Sequence, residues 1–293
     1  MSKRGFITIG IDTDADRVKY SYALSLSIKN CDPEAEVCLV VDKDKSDLVD
    51  KNYFDAFDYI VELPFGNTGH ADGYHGSNFW QLAHCTPFDE TIYVDADSLF
   101  LNVDVGLLWD QFANVDIGMT SIARNFRNGL TQKISDFEIE QKYQLPQNYN
   151  QLFYYNTSDE ALAWFKMADP IFQNWRQVYS IFFNDIKPDT FDKNILCNLV
   201  THCLDINNET NVVINNFYDL SVSSQNLWTT DLSDNWTDSL NNWYTNKQEI
   251  IIENSTISNG IVHYRDENFL TKEIINELKQ TFNTRKTRLE HYA

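Results

Sequence analysis

Residues 90–101 read ETIYVDADSLFL, an apolar run that ends in two carboxylates, Asp95 and Asp97, and becomes apolar again at once. A β-strand rises about 3.3 Å per residue and alternates its faces. Acids two apart at a strand end would therefore project to one side, about 6.6 Å from each other. Like charges so placed repel, and a shared divalent cation, ligand groups or plain solvent must relieve them. Everything else in the chain bears on which of these it is.

Upstream, residues 6–11 (FITIGI) predict a first strand, followed by the polar turn DTDADR and a helix over 19–30 with Tyr22, Leu24, Leu26 and Ile28 among its apolar positions. Residues 36–41 and 58–63 predict two more strands, the second stopped by Pro64. A glycine-rich loop and a short apolar helix, NFWQLAHC, lead into a fourth strand over 91–94. Strands and helices alternating at this interval imply βαβ units, hence an α/β fold on a mixed, mostly parallel sheet flanked by helices. Such sheets bind ligands beyond the carboxyl ends of their strands. Three of these strands run into Asp12, Asp42 and Asp95.

Downstream, the pattern predicts a helix over 104–112, a strand over 116–122, a polar irregular segment over 124–150, and helices over 160–183 and 192–204. Loops with short strands fill 207–258, and GIVHY (260–264) reads as a last strand. An amphipathic helix over 268–290 carries Leu270, Ile274, Leu278 and Phe282 on one face. With no repeat or linker in evidence, one domain over 1–293 is expected: a nucleotide-type half to residue 123 and a second half, 124–293, for the other substrate.

The composition narrows the partners. A net charge of −20 argues against nucleic acid and anionic membranes, both of which require neutralisation by Lys and Arg. From Asn52 to Ala123 there is no Lys or Arg but eleven Asp or Glu. A phosphate-bearing ligand at Asp95 would thus find no positive charge in this segment, and a metal ion would have to supply it. No apolar run is long enough to span a membrane. The basic start MSKR leads into too short an apolar run for a signal peptide. Five cysteines without CxxC spacing suggest reduced thiols and a cytoplasmic protein.

The strand–helix start, YVDADSLFL, the helix beginning Asp192-Lys193-Asn194-Ile195-Leu196-Cys197-Asn198 and the late strand bearing His263 together resemble the GT-A glycosyltransferases, in particular the glycogenin-like and galactinol-synthase-like family eight. The resemblance runs through residues 5 to 270. It implies a GT-A fold and hexose transfer from a nucleoside diphosphate sugar, most simply a UDP-sugar, to an acceptor hydroxyl with retention of configuration. It implies further that Asp95 and Asp97 are the DXD pair and His263 the third ligand of a divalent ion, Mn²⁺ or Mg²⁺. Two carboxylates and one imidazole suit such an ion when phosphates complete its shell.

On the same resemblance, Asp12 and Thr13 would grip the nucleoside, with Ala96 and Arg265 beside the donor, and Asp192 and Asn150 would lie near the transferred sugar. The sequence departs from the family pattern where Lys193 replaces a Gln, where Asn150 lacks a following Ser-Gly, and where Asp266 and Phe269 stand in place of a Gly and a Lys. Arg265, Arg124 or Arg127 could substitute for the missing base. His70, His75 and His84 could hydrogen-bond a phosphate or sugar hydroxyl, and Trp228, Trp236 and Trp243 could stack on an acceptor ring. Asp192 could equally be a helix-start acid. Rival readings are sugar transfer to a nucleic-acid base, which the acidic charge disfavours, and a metal-binding or nucleotide-sugar-binding module without turnover.

Overall fold

The computed structural model describes residues 2–11, 17–67, 77–131, 142–182, 191–207, 209–220, 240–242, 248–252, 255–264 and 269–292. In chain order the strands are β1 (Arg4–Ile9), β2 (Val37–Val41), β3 (Tyr59–Glu62), β4 (Glu90–Val94), β5 (Ser98–Leu101), β6 (Ile117–Thr120), β7 (Ala123–Arg124), β8 (Leu130–Thr131), β9 (Tyr149–Asn156), β10 (Asn211–Val212), β11 (Phe217–Asp219), β12 (Leu240–Asn242), β13 (Ile250–Ile252), β14 (Ser255–Ile257) and β15 (Gly260–His263). The helices are α1 (Arg17–Cys31), α2 (Leu82–Cys85), α3 (Val105–Gln111), α4 (Asp159–Gln173), α5 (Trp175–Phe182), α6 (Lys193–Cys203) and α7 (Lys272–Tyr292).

Among the described residues a seven-stranded sheet runs in the order β10-β6-β9-β4-β1-β2-β3. Its β1, β2, β3 and β4 are mutually parallel, as the βαβ pattern predicts, and β10 runs parallel to β6. Only β9 runs against its neighbours β4 and β6. The segment read as irregular ends in β9, whose sequence YNQLFYYN is buried on both faces and so shows no alternation for a pattern to detect.

Alternation along β4 sorts its side chains into two cores. Tyr93 joins Phe79, Phe153 and Trp164 on the face covered by α4 and α6, while Ile92 and Val94 join Phe6, Phe100 and Trp109 on the other. The predicted helix over 160–183 is two helices. Asn174 separates them by bonding the Pro170 carbonyl with both its backbone N–H and its side chain, at 3.2 and 2.9 Å.

A second, five-stranded sheet in the order β5-β15-β11-β7-β8 was not foreseen. Helix α1 lies buried along Tyr20–Asn30, enclosed by both sheets and α7. That enclosure explains why its sequence carries so weak an apolar stripe: its polar positions are also inside. Ser25 donates to the Ala56 carbonyl at 2.5 Å, and Ser27 both donates to Leu24 and accepts from the Phe100 N–H at 3.0 Å. No helix among the described residues is long and apolar enough to cross a membrane.

Candidate metal centre

Asp95 and Asp97 do not sit on a strand. Strand β4 ends at Val94, residues 95–97 form a turn, and the chain then leaves the large sheet for β5 of the small one. The turn is pinned from both sides. The Asp95 N–H donates to the Gln151 carbonyl at 3.0 Å, following the β4–β9 ladder, and the Asp97 carbonyl accepts from the Tyr264 N–H at 2.9 Å, just past β15. The predicted co-location of the two acids therefore arises from a junction between sheets, not from strand alternation.

That junction also brings in His263. Strand β5 pairs antiparallel with β15 so that Ser98 lies opposite His263, one residue beyond Asp97. The His263 Nε2 stands 3.3 Å from Asp97 Oδ1. On the other side of β15, the parallel neighbour β11 registers Asp219 directly against His263, and the Asp219 carboxylate lies 3.3 Å from Nδ1. A carboxylate on Nδ1 fixes that nitrogen as the donor, so that Nε2 is the nitrogen able to ligate an ion. One ligand atom from each of Asp95, Asp97 and His263 can be chosen so that all lie within 4.8 Å of one another.

The donor set fits a hard divalent ion. Its residues are two carboxylates and an imidazole held by a second carboxylate, without a thiolate. The electrostatics fit a site built for charge. Burial alone would raise the Asp97 carboxyl, but the neighbouring His263 and the Arg17 guanidinium, 3.9 Å away, outweigh it and hold Asp97 well below the ordinary carboxylate range. Burial works against a charged His263, and Asp97 and Asp219 overcome it, raising the imidazole above its usual value.

Two cations at the site escaped the sequence reading. Arg17 belongs to the segment taken as a polar turn, and it opens α1 beside Asp97. Lys193, noted only as a replacement for Gln, places its Nζ 2.5 Å from Asp95 Oδ1. Tyr93, two residues before Asp95 on the same face, donates its hydroxyl to the same oxygen. The signal for Lys193 was its position in the first turn of a helix packed over β4, but the contact spans 98 residues of chain.

The remaining candidates separate clearly. Asp192 is the N-cap of α6, accepting from the N–H groups of Asn194 and Ile195 at 2.7 and 3.1 Å, which is the helix-start role. Asn150 is fully buried on β9. The Ala96 methyl belongs to the buried cluster of Tyr20 and Tyr264, so the turn can offer a ligand only the Ala96 backbone. Arg124 does not reach the acids: its guanidinium bonds the carbonyls of Asn215 and Asn128. His84 packs edge-on against Phe65. Asp12, Thr13, His70, His75, Trp228, Trp236, Trp243, Arg265 and Asp266 lie outside the described residues.

No protein-family description and no curated protein matches the sequence. Solved structures do match its fold. A galactosyltransferase, LgtC, in complex with donor and acceptor sugar analogs, superposes with a TM-score of 0.51 at 12% identity, over 94% of this chain and 95% of that one. The apo form of the glycosyltransferase GlyE of Streptococcus pneumoniae gives 0.50 at 10% identity over 98% of this chain, which matches 64% of GlyE. What the chain shares with these enzymes is architecture: its mixed, mostly parallel sheet flanked by helices is the fold of the GT-A glycosyltransferases.

Proposed function

We propose that the protein is a glycosyltransferase that moves a hexose from a nucleoside diphosphate sugar, most simply a UDP-sugar, to an acceptor hydroxyl with the help of Mn²⁺ or Mg²⁺. The observation that carries this reading is the convergence of Asp95, Asp97 and His263 within 4.8 Å, just beyond the carboxyl end of β4. Open α/β sheets bind their ligands at that edge. The fold shared with a galactosyltransferase crystallised with donor and acceptor analogs supports a two-substrate site.

Asp95, Asp97 and His263 Nε2 would hold the ion, with Asp219 keeping the imidazole in the ligating tautomer. The bound ion would supply Lewis-acid stabilisation of the departing diphosphate. Asp12, Thr13, the Ala96 backbone and Arg265 are assigned to the donor. Asp192 already uses Oδ1 to cap α6, and the proposal turns its other oxygen toward the transferred sugar. The buried Asn150 would support that region without touching substrate. The narrower kinship with family eight, and with it retention of configuration, belongs to the same proposal. So do a single domain over 1–293, divided near residue 123 into donor and acceptor halves, and a cytoplasmic location for a chain whose five cysteines are all unpaired.

The test is turnover of a panel of nucleoside diphosphate sugars with Mn²⁺, read as nucleotide release. One donor should be consumed by the wild-type protein and left intact by Asp97→Asn. Release by the variant at the wild-type rate, or no release from any donor, would refute the proposal.

A further inference from the structure

Each acid of the DAD turn faces a cation from another element. Lys193 Nζ lies 2.5 Å from Asp95, in a setting where the lysine side chain is 13% exposed and the aspartate 17%. Arg17 stands at 3.9 Å from Asp97. The lysine is not free to roam. It is the first residue of α6, whose start is fixed by the Asp192 cap, and its ammonium sits 4.9 Å from the Tyr93 ring centroid and 5.4 Å from that of Phe79. Both rings are buried. An ammonium over aromatic faces and against a carboxylate is held by cation–π attraction and a charge-assisted hydrogen bond together.

We propose that Lys193 is a tethered counter-cation that sets the divalent-ion affinity of this site: it keeps the ion from loading alone and couples its entry to that of the nucleoside diphosphate. The inference rests on the metal–nucleotide reading above and assigns the coupling to one side chain. A divalent ion must take the Asp95 oxygen that Lys193 now occupies. Arriving alone, it would displace the ammonium into a pocket of aromatic faces with an additional positive charge beside it, and like charges in a partly desolvated site repel strongly. Arriving with a diphosphate, it brings anionic oxygens to which the displaced ammonium can turn on its flexible four-carbon stem. A neutral residue at 193 would lift this condition at Asp95 and leave only Arg17 beside Asp97.

The experiment compares wild type with Lys193→Met and Lys193→Gln in Mn²⁺ titrations followed by the electron paramagnetic resonance of free Mn²⁺, without nucleotide and with saturating UDP, or with whichever of GDP, ADP and CDP binds. Thermal melts verify that the variants are folded, and Gln carries the test if Met does not fold. Without nucleotide, the variants should bind Mn²⁺ at least tenfold more tightly than wild type, and the nucleotide should narrow that gap. The gain should vanish in Asp97→Asn/Lys193→Met, which places the ion at this turn. Equal affinities without nucleotide would overturn the role of Lys193 and leave the proposed function standing. Nucleotide binding that survives a chelator but falls in Lys193→Met would make the lysine itself the phosphate cation and overturn the coupling. Absence of Mn²⁺ binding in every protein with every nucleotide would overturn both readings.

Discussion

Replacing Asp219 by Asn tests the claim that His263 is held as a ligand from behind. The substitution is nearly isosteric, so the strand register of β11 against β15 should survive. What changes is the group 3.3 Å from His263 Nδ1. A carboxylate can only accept there, which forces Nδ1 to donate, so that when Nε2 gives up the proton it shares with Asp97 the imidazole is left in the tautomer that can ligate an ion. The Asn side chain can present its NH₂ instead, favouring the tautomer that carries its proton on Nε2 and cannot ligate. Loss of such an outer carboxylate costs about 10–100-fold in metal affinity, or roughly 1.4–2.7 kcal/mol. The Asp219 side chain is only 3% exposed, so water cannot easily take its place, and the expected loss lies toward the upper end. The assay is isothermal titration of Mn²⁺ in saturating nucleoside diphosphate, with circular dichroism confirming the fold. An affinity within twofold of wild type would refute the assignment of Asp219.

Other consequences follow from the same geometry. Gly260 opens β15 at φ +141°, and a Cβ there would fall 2.3 Å from the Asn216 carbonyl oxygen. Gly260→Ala should therefore destabilise the fold by about 2 kcal/mol or more in urea titrations, and an effect below 0.5 kcal/mol would contradict the strained position. The Asp97–His263 pair predicts the pH profile of stability in the metal-free protein. Asp97, with its folded value depressed, contributes stability that is intact above about pH 4 and is lost as pH falls from there toward the depressed folded value. His263, with its folded value raised to about 10, contributes stability that is complete below about pH 6.5 and is lost as pH rises from there through the folded value. The melting-temperature gap between wild type and Asp97→Asn should be widest between those limits, and a gap that widens from pH 7 to 9 would count against the pair. Thiol labelling at pH 8 should modify the exposed Cys203 first. Burial raises the Cys85 and Cys197 thiols to about 12, so the half-buried Cys85 should react slowly and the buried Cys197 only on unfolding. Fast labelling of Cys197 would contradict its place in the core.

The parallel half of the large sheet was legible because βαβ units repeat strand and helix periods locally. Strand β9 was not, since burial on both faces erases alternation, and neither was the second sheet, whose strands are short and drawn from distant segments. Asp95 and Asp97 stood out as two acids at the end of an apolar run, whereas His263 was named only through the resemblance to the GT-A glycosyltransferases. The geometry that joins them was misread: SLFL continues the apolar character of β4, and nothing local announces that the chain changes sheets at Asp95. Asp219, Arg17 and Lys193 went unrecognised for a related reason. Each meets its partner through register or helix packing across tens of residues, and an Asp at a strand end or a Lys in a first helical turn has many ordinary explanations. Asp192 shows how the two kinds of reading can coincide: one carboxylate oxygen caps α6, as a helix-start acid should, and the proposed sugar-side role falls to the other.

The most direct test of the account is a thermal-shift panel of UDP, GDP, ADP and CDP, each with Mn²⁺ and each with a chelator, on wild type and Asp97→Asn. A ligand that binds only the native state raises the midpoint in proportion to ln(1 + [L]/Kd). The account predicts that one nucleotide, most simply UDP, shifts the wild-type midpoint with Mn²⁺ alone and leaves the variant unmoved. A shift of equal size in the chelator, or in Asp97→Asn, would contradict the claim that the DAD turn and His263 bind the diphosphate through a metal ion.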